Sequence, residues 1–234
     1  MNKYYYDLHI HSCLSPCGDE LMTPNNIAGM AMLKGLDAIA VADHNSARNL
    51  PALAKTCAGM GVLLLPAMEL TTAEEVHLLS YFPTVEVALD FSEELHGCLP
   101  PIQNRPDIFG PQQVLDEDDE QVGTEETLLL SALSLTLDEL VARINARGGA
   151  AVPAHINRGG NGLLNVLGFL PPGLDIAAVE VTREMPCRAD VSKLRVLHSS
   201  DAHCLENMLE REISYEVAEK SVEALFAYIK SGAM

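Results

Sequence analysis

Basic residues are scarce in this chain: 15 lysines and arginines face 33 aspartates and glutamates, a formal charge of −18. Such a chain as a whole repels a polyanionic backbone, which argues against a duplex-binding module and against long nucleic acid as a partner. A nucleotide stays open, because divalent cations held by carboxylates and imidazoles offset charge that the formal count ignores. No run approaches the ~18 consecutive apolar residues of a membrane span, and the start, Met1 to Asp7, has no apolar export segment after its lysine. The expectation is a cytoplasmic protein with no membrane partner. The six cysteines lack the paired spacing of a zinc ribbon, so free thiols are expected, with Cys13-x-x-x-Cys17 a loop feature. No fixed-period repeat suggests a solenoid.

What the chain does have is 234 residues at 48% apolar content, enough for one large α/β core. Apolar β-rich runs recur at Tyr4–Ile10, Ala38–Ala42, Val62–Ala67, Val76–Tyr81, Ala150–Ala154, Ile176–Val181 and Arg195–Ser199. The helical segments between them carry their own punctuation. Thr23-Pro24 supplies a cap and a first-turn proline, with Gly35 closing; Thr136-Leu137-Asp138-Glu139 is a capping box, with Gly148 closing. From 83 to 135 the alternation gives way to prolines and the acidic run Asp116–Glu120, which reads as an insertion within a single 1–234 domain. Within it, Gln112–Asp116 and Gln121–Glu125 are expected to pair as a hairpin. The acidic run lacks the spacing and glycine of a calcium loop and reads as solvated.

Histidines and carboxylates concentrate at the ends of the strand runs. His9 and His11 alternate along the first run, so both imidazoles share a face. Asp43-His44, Glu69, His155 and Asp201-Ala202-His203 follow later runs. In a parallel βα barrel those ends form one rim, where active sites sit. One His-x-His has a dull explanation as core plus surface, but several segments delivering metal-type ligands to one rim do not. His96, in the insertion, and His198, inside the last run, are assigned structural roles.

Asp7-Leu8-His9-Ile10-His11-Ser12, Ala42-Asp43-His44-Asn45, Glu69 with Glu75-Val76-His77, Pro153-Ala154-His155 and Ser200-Asp201-Ala202-His203 resemble, in order, the motifs of the PHP (polymerase and histidinol phosphatase) superfamily. The resemblance implies a distorted (β/α)7 TIM-like barrel and a trinuclear metal centre that hydrolyses phosphoesters. By motif, it implies that His9, His11, Glu69 and Asp201 hold one ion. Glu69 would bridge to a second ion on His77 and His155, and Asp19, His44 and His203 would hold the third. The loop before Asp19 is longer than the usual spacing, and Glu20 is its alternative.

Imidazole with carboxylate suits zinc, manganese or iron, and a carboxylate bridge holds two cations close enough to clamp a phosphate. The expected chemistry is attack by metal-bound hydroxide on a small phosphomonoester or short phosphodiester, with phosphate as product of the former. Glu69 and Asp201 are the catalytic carboxylates of that scheme. Asp7 and Asp43 are candidate orienters of neighbouring histidines, and Asp43 is also a candidate proton donor. Arg158, opening a glycine-rich loop, is either a phosphate contact or a surface arginine, and Arg183 is a second candidate. Asn45 and Ser46 read as helix-capping residues. Asn104, Arg105 and Gln113 are the insertion's candidate substrate contacts, if it covers the pocket rather than the outer surface. Two other readings remain: an amidohydrolase-like enzyme, for which a bridging lysine rather than Glu69 is usual, and a non-catalytic metal-stabilised module.

Overall fold

The first strand shows how the fold positions its site. β1 (Asn2–Ile10) is exposed at its start and fully buried from Tyr6 onward, so His9 lies at its deeply packed end. A computed structural model describes residues 1–232. After β1 come α1 (Pro24–Leu33), β2 (Ala38–Val41), α2 (Leu50–Gly59), β3 (Leu63–Leu64), β4 (Ala67–Thr71), β5 (His77–Tyr81) and α3 (Val85–His96). A short helix α4 (Pro106–Phe109) precedes the hairpin β6 (Gln113–Leu115) and β7 (Gln121–Thr124). The chain continues through α5 (Leu137–Ala146), β8 (Ala150–Pro153), α6 (Leu163–Val166), β9 (Ala178–Glu180), β10 (Arg195–Leu197), β11 (Ser214–Val217) and α7 (Val222–Lys230).

The punctuation works as its chemistry requires. The Thr23 hydroxyl caps α1, Thr136 and Glu139 form the reciprocal capping box of α5, and Gly35 and Gly148 take the left-handed conformation after their helices. The hairpin forms as its pattern predicts, and the acidic turn between its strands is bonded rather than empty. Asp119 accepts from the Thr23 hydroxyl at 2.6 Å and from Asn25 N at 3.0 Å, tying the turn to the start of α1.

The mixed α/β class holds, but strand pairing among the described residues does not run as a closed (β/α)7 ring. It forms separate ladders, β11-β1-β2-β3, β10-β9, β4-β5-β8 and β6-β7. The cause is visible at Pro66. A proline cannot donate to a ladder, so the run expected as Val62–Ala67 breaks into β3 and a new strand, β4, that turns to pair antiparallel with β5. Glu69 therefore lies in mid-strand rather than after a strand. The ladders meet through single backbone bridges at Ile10↔Ala202 and His44↔Glu69, at the level of the ligand-type residues.

The segment 83–135 opens with α3, whose Ala88, Phe91 and Leu95 are buried in the main core. Its hairpin packs on the loop after β1 and on the start of α2: Gln113 N donates to Cys13 O at 3.1 Å, and Leu115 N to Asn49 Oδ1 at 3.0 Å. No described helix is long and apolar enough to cross a membrane.

Candidate metal centre

Glu69 is the hub, buried and approached by five imidazoles. Its Oε1 lies 2.9 Å from His77 Nδ1, 3.2 Å from His155 Nε2 and 3.4 Å from His9 Nε2. Its Oε2 lies 3.3 Å from His44 Nδ1 and 3.4 Å from His11 Nε2. Asp201 Oδ1 completes the group from the far side, 3.3 Å from His9 Nε2 and 3.1 Å from His11 Nε2. Three sets can each close on one point: His9, His11, Glu69 and Asp201; His44, Glu69 and His77; and His11, His44 and His203.

Whether these residues fit metal ions is tested by their unpaired atoms. The Nδ1 atoms of His44, His77 and His155 are buried and make no hydrogen bond, although two of them lie against Glu69. A buried polar atom without a partner costs about 1–3 kcal/mol, so the two that face Glu69, on His44 and His77, call for a ligand. A lone pair facing a carboxylate across about 3 Å is the arrangement a divalent cation between them would satisfy. Backbone strain points to the same place, because His155 and Asp201 both take positive φ, at 29° and 53°.

The field agrees. Burial would lower the pKa of His9, but Glu180, Asp201 and Glu69 together carry it well above the ordinary imidazole value. Burial would raise Glu69, yet His77 and His9 hold it well below the carboxylate range. Burial, with His11 beside it, pushes His44 well down. The site thus concentrates ionised carboxylate and demands positive charge, which a divalent cation supplies.

Hydrogen bonds fix the imidazoles. Ser15 Oγ donates to Asp43 Oδ1 at 2.6 Å, so it accepts from His11 Nδ1 at 3.0 Å and from His44 N at 3.1 Å. This leaves His11 Nε2 as the free lone pair. Asp43 Oδ2 accepts from Ser12 Oγ at 2.6 Å, and its Oδ1 also accepts from Ser12 N at 2.7 Å. Both Asp43 oxygens are engaged as acceptors, the posture of an orienter rather than of a proton donor. Asp7 does the same for the loop after β10, accepting from Ser200 N, Ser200 Oγ and Leu209 N.

Not every residue expected at the site reaches it. Asp19 is exposed, and its Oδ1 accepts from Leu21 N at 2.8 Å, closing its own turn; Glu20 is exposed as well. Arg158 pairs through Nη2 with Asp201 Oδ2, so it reaches the rim through a ligand-type carboxylate. Arg183 is exposed and pairs with Glu212 at 3.3 Å. The two arginines line a cleft of about 470 Å³ that opens from His155 and Asp201. Asn45 ties the loop after His44 to Leu129 O and Ser131 O instead of capping a helix. Asn104 is buried and bonds Gly110 O, Arg105 pairs with Asp107, and Gln113 sits in the hairpin against Cys13. His198 bonds Val181 O and His96 bonds Glu125, both outside the cluster.

Glu180 was missed by sequence reasoning. It ends β9, is buried, and its Oε2 lies 3.0 Å from His9 Nδ1 and accepts from His155 N at 2.9 Å. The available signal was a lone carboxylate ending the apolar run Ala177-Ala178-Val179, as the other ligand-type residues end theirs.

No family model and no curated protein matches the sequence. Solved structures do. The lesion-specific endonuclease EndoQ from Pyrococcus furiosus superposes with a TM-score of 0.71 at 23% identity, over 98% of this chain and 56% of that one. Endonuclease Q in complex with a 27-mer duplex substrate, an abasic lesion at its active site, gives 0.70 at 22% identity, over 98% and 57%. A protein from Bifidobacterium adolescentis assigned as a metal-dependent phosphoesterase gives 0.61 at 18%, over 94% and 95%. An amidohydrolase from Chromobacterium violaceum gives 0.58 at 18%, over 92% and 93%. This chain spans little more than half the length of the endonuclease chains. The resemblance is borne out as a mixed α/β fold shared with these hydrolases, without a closed barrel among the described residues.

The comparison corrects the expectation of a small phosphorylated substrate with no long nucleic acid, since a protein of this fold is seen with a 27-mer duplex. Net charge does not by itself exclude such a partner, because fields are screened within about 8 Å at physiological salt. Asp7, Asp43, Glu69, Glu180 and Asp201 are counted in the −18, yet their side chains are almost wholly buried and bonded within the site.

Proposed function

We propose that this protein is a metal-dependent hydrolase that cleaves phosphodiester bonds of a nucleic-acid strand. The observation that carries the reading is the convergence of five imidazoles and Asp201 on the buried carboxylate of Glu69, with imidazole nitrogens left unpaired. Divalent zinc, manganese or iron, when bound there, supplies Lewis acidity and a nucleophile at neutral pH. The rest falls to the chain's own groups. Asp43 with Ser15, and Glu180, hold the imidazoles of His11 and His9 so that each turns Nε2 inward. Arg158 holds Asp201 Oδ2 and stands half-exposed at the cleft, where its remaining donors suit phosphoryl oxygens. Arg183 lines the same cleft, paired with Glu212 and flanked by Glu184 and Glu210. The sheets around the cluster serve, in this reading, as parts of the distorted (β/α)7 frame that the motifs imply. The segment 83–135 buttresses the loop after β1 and shapes the approach to the rim.

Glu69 in the bridging place, where amidohydrolases commonly carry lysine, favours phosphoester over amide hydrolysis. The resemblance implies three ions.

The test incubates the protein, stripped and reloaded with manganese, zinc or iron, with labelled single-stranded and duplex DNA, with and without an abasic site. Strand cleavage is read on denaturing gels beside a chelated control and a His9→Ala variant. Metal-dependent cleavage lost in that variant supports the reading. No cleavage above the chelated control with any metal or strand rejects it.

A further inference from the structure

We propose that this chain holds two tightly bound divalent cations astride Glu69, and that the third position implied by its motifs is not a built site. The inference rests on the metal reading above and concerns this chain's own donors.

Counting lone pairs decides the matter. A neutral imidazole has one nitrogen free to ligate. His11 gives its Nδ1 proton to Ser15, so only Nε2 remains, and that atom lies among His9, Glu69 and Asp201. The first cation thus has four side chains, the usual complement of a tightly held zinc. On the other side of Glu69 stand His44 Nδ1, His77 Nδ1 and His155 Nε2, all within 3.3 Å of its oxygens. Of these, His44 and His77 close with Glu69 on one point, a second set of three side chains that shares only the carboxylate with the first, and His155 approaches the same carboxylate beside His77.

The third group is built from what is left. Among the described residues it can be assembled only from His11, His44 and His203, and the first two are already committed. His203 donates Nδ1 to Asp201 O at 2.8 Å and is about one-third exposed, so it offers a single lone pair on a side chain open to solvent. Among the described residues no carboxylate joins this group, so nothing there offsets the charge of a dication. Asp19 spends an oxygen on Leu21 N and Glu20 faces solvent. The remaining donor of that loop, Cys17, is exposed and belongs to none of the three sets.

The experiment counts metal without measuring turnover. Protein stripped with chelator and reloaded with zinc or manganese is passed over a competing chelating resin, and retained metal per chain is read by elemental analysis. Two equivalents are expected, and still two in Asp19→Asn, Cys17→Ser and His203→Ala. Glu69→Gln should retain less than one, with circular dichroism checking the fold. If that variant does not fold, His77→Ala serves in its place, expected to retain one. Three equivalents, with the third lost in any of the Asp19, Cys17 or His203 variants, would overturn the inference, as would one. Two retained equivalents without strand cleavage would reject the proposed reaction and leave this inference standing, whereas no retained metal rejects both.

Discussion

Glu180 holds His9: the carboxylate Oε2 lies 3.0 Å from the imidazole Nδ1, with both side chains buried. The same oxygen takes the backbone N–H of His155 at 2.9 Å, so one carboxylate positions two imidazoles that approach Glu69 from different strands. With its proton on Nδ1, His9 must turn Nε2 toward Glu69 and Asp201. Glu180→Gln should weaken metal affinity about 10–100-fold while the protein stays folded. Competition against a chromophoric chelator measures it, and unchanged affinity would remove Glu180 from the centre.

Asp43 joins two ligand-bearing segments through three short hydrogen bonds from Ser12 and Ser15. An amide in its place loses the charge and forces one hydroxyl to give up its acceptor. Asp43→Asn should cost about 1.5–3 kcal/mol, since hydrogen bonds to charged groups contribute on that scale. For a chain of this size that lowers Tm by roughly 3–12 °C. Thermal unfolding with and without metal measures it; a Tm within error of the parent's would show that Asp43 is not a fastener.

Metal removal should destabilise the chain, because the five imidazoles and two carboxylates of the cluster are packed with too few hydrogen bonds of their own. A ligand at a thousand times its Kd stabilises by about 4 kcal/mol, so chelation should lower Tm by roughly 8–16 °C. Differential scanning fluorimetry before chelation, after it, and after metal is restored gives the answer. An unchanged Tm after verified metal loss would mean that the fold carries this cluster unaided.

Asn49 couples the hairpin to the site loop. Its amide donates to Ser12 Oγ at 3.0 Å and Gln113 O at 3.2 Å, and its Oδ1 accepts from Leu115 N. Asn49→Ala should cost about 2–3 kcal/mol, since it strips partners from buried groups. Replacing residues 100–126 with a short glycine-rich connector should lower metal affinity as well, by freeing the loop that carries Ser12 and Ser15. Denaturant titration and the chelator competition test the pair. Affinity equal to the parent's in both variants would make residues 100–126 a surface elaboration.

Arg158→Ala should keep the metal and lower kcat/KM about 10–100-fold, the scale of one lost charge-assisted contact. Steady-state cleavage kinetics beside elemental analysis separates that from a variant that merely releases Asp201, which would lose metal too.

Much was decided by the sequence alone. Period-two alternation put His9 and His11 on one face, and local chemistry placed the caps at Thr23 and Thr136 and the hairpin turn, because each depends on neighbours within a few residues. The motifs named the imidazoles and carboxylates of the rim. Tertiary structure decided what depends on distance through space. Pro66 ended a strand as its chemistry demands, but where the chain went next, pairing β4 with β5 and bringing Glu69 to mid-strand, depended on partners far along the chain. Asp19 looked like a ligand by order; its backbone N–H bonds His203 O, while its exposed carboxylate closes its own turn on Leu21 N, a choice the motif order does not carry. Glu180 looked like an ordinary strand residue and became the support of His9, 171 positions away, because burial leaves a carboxylate stable only where donors converge on it.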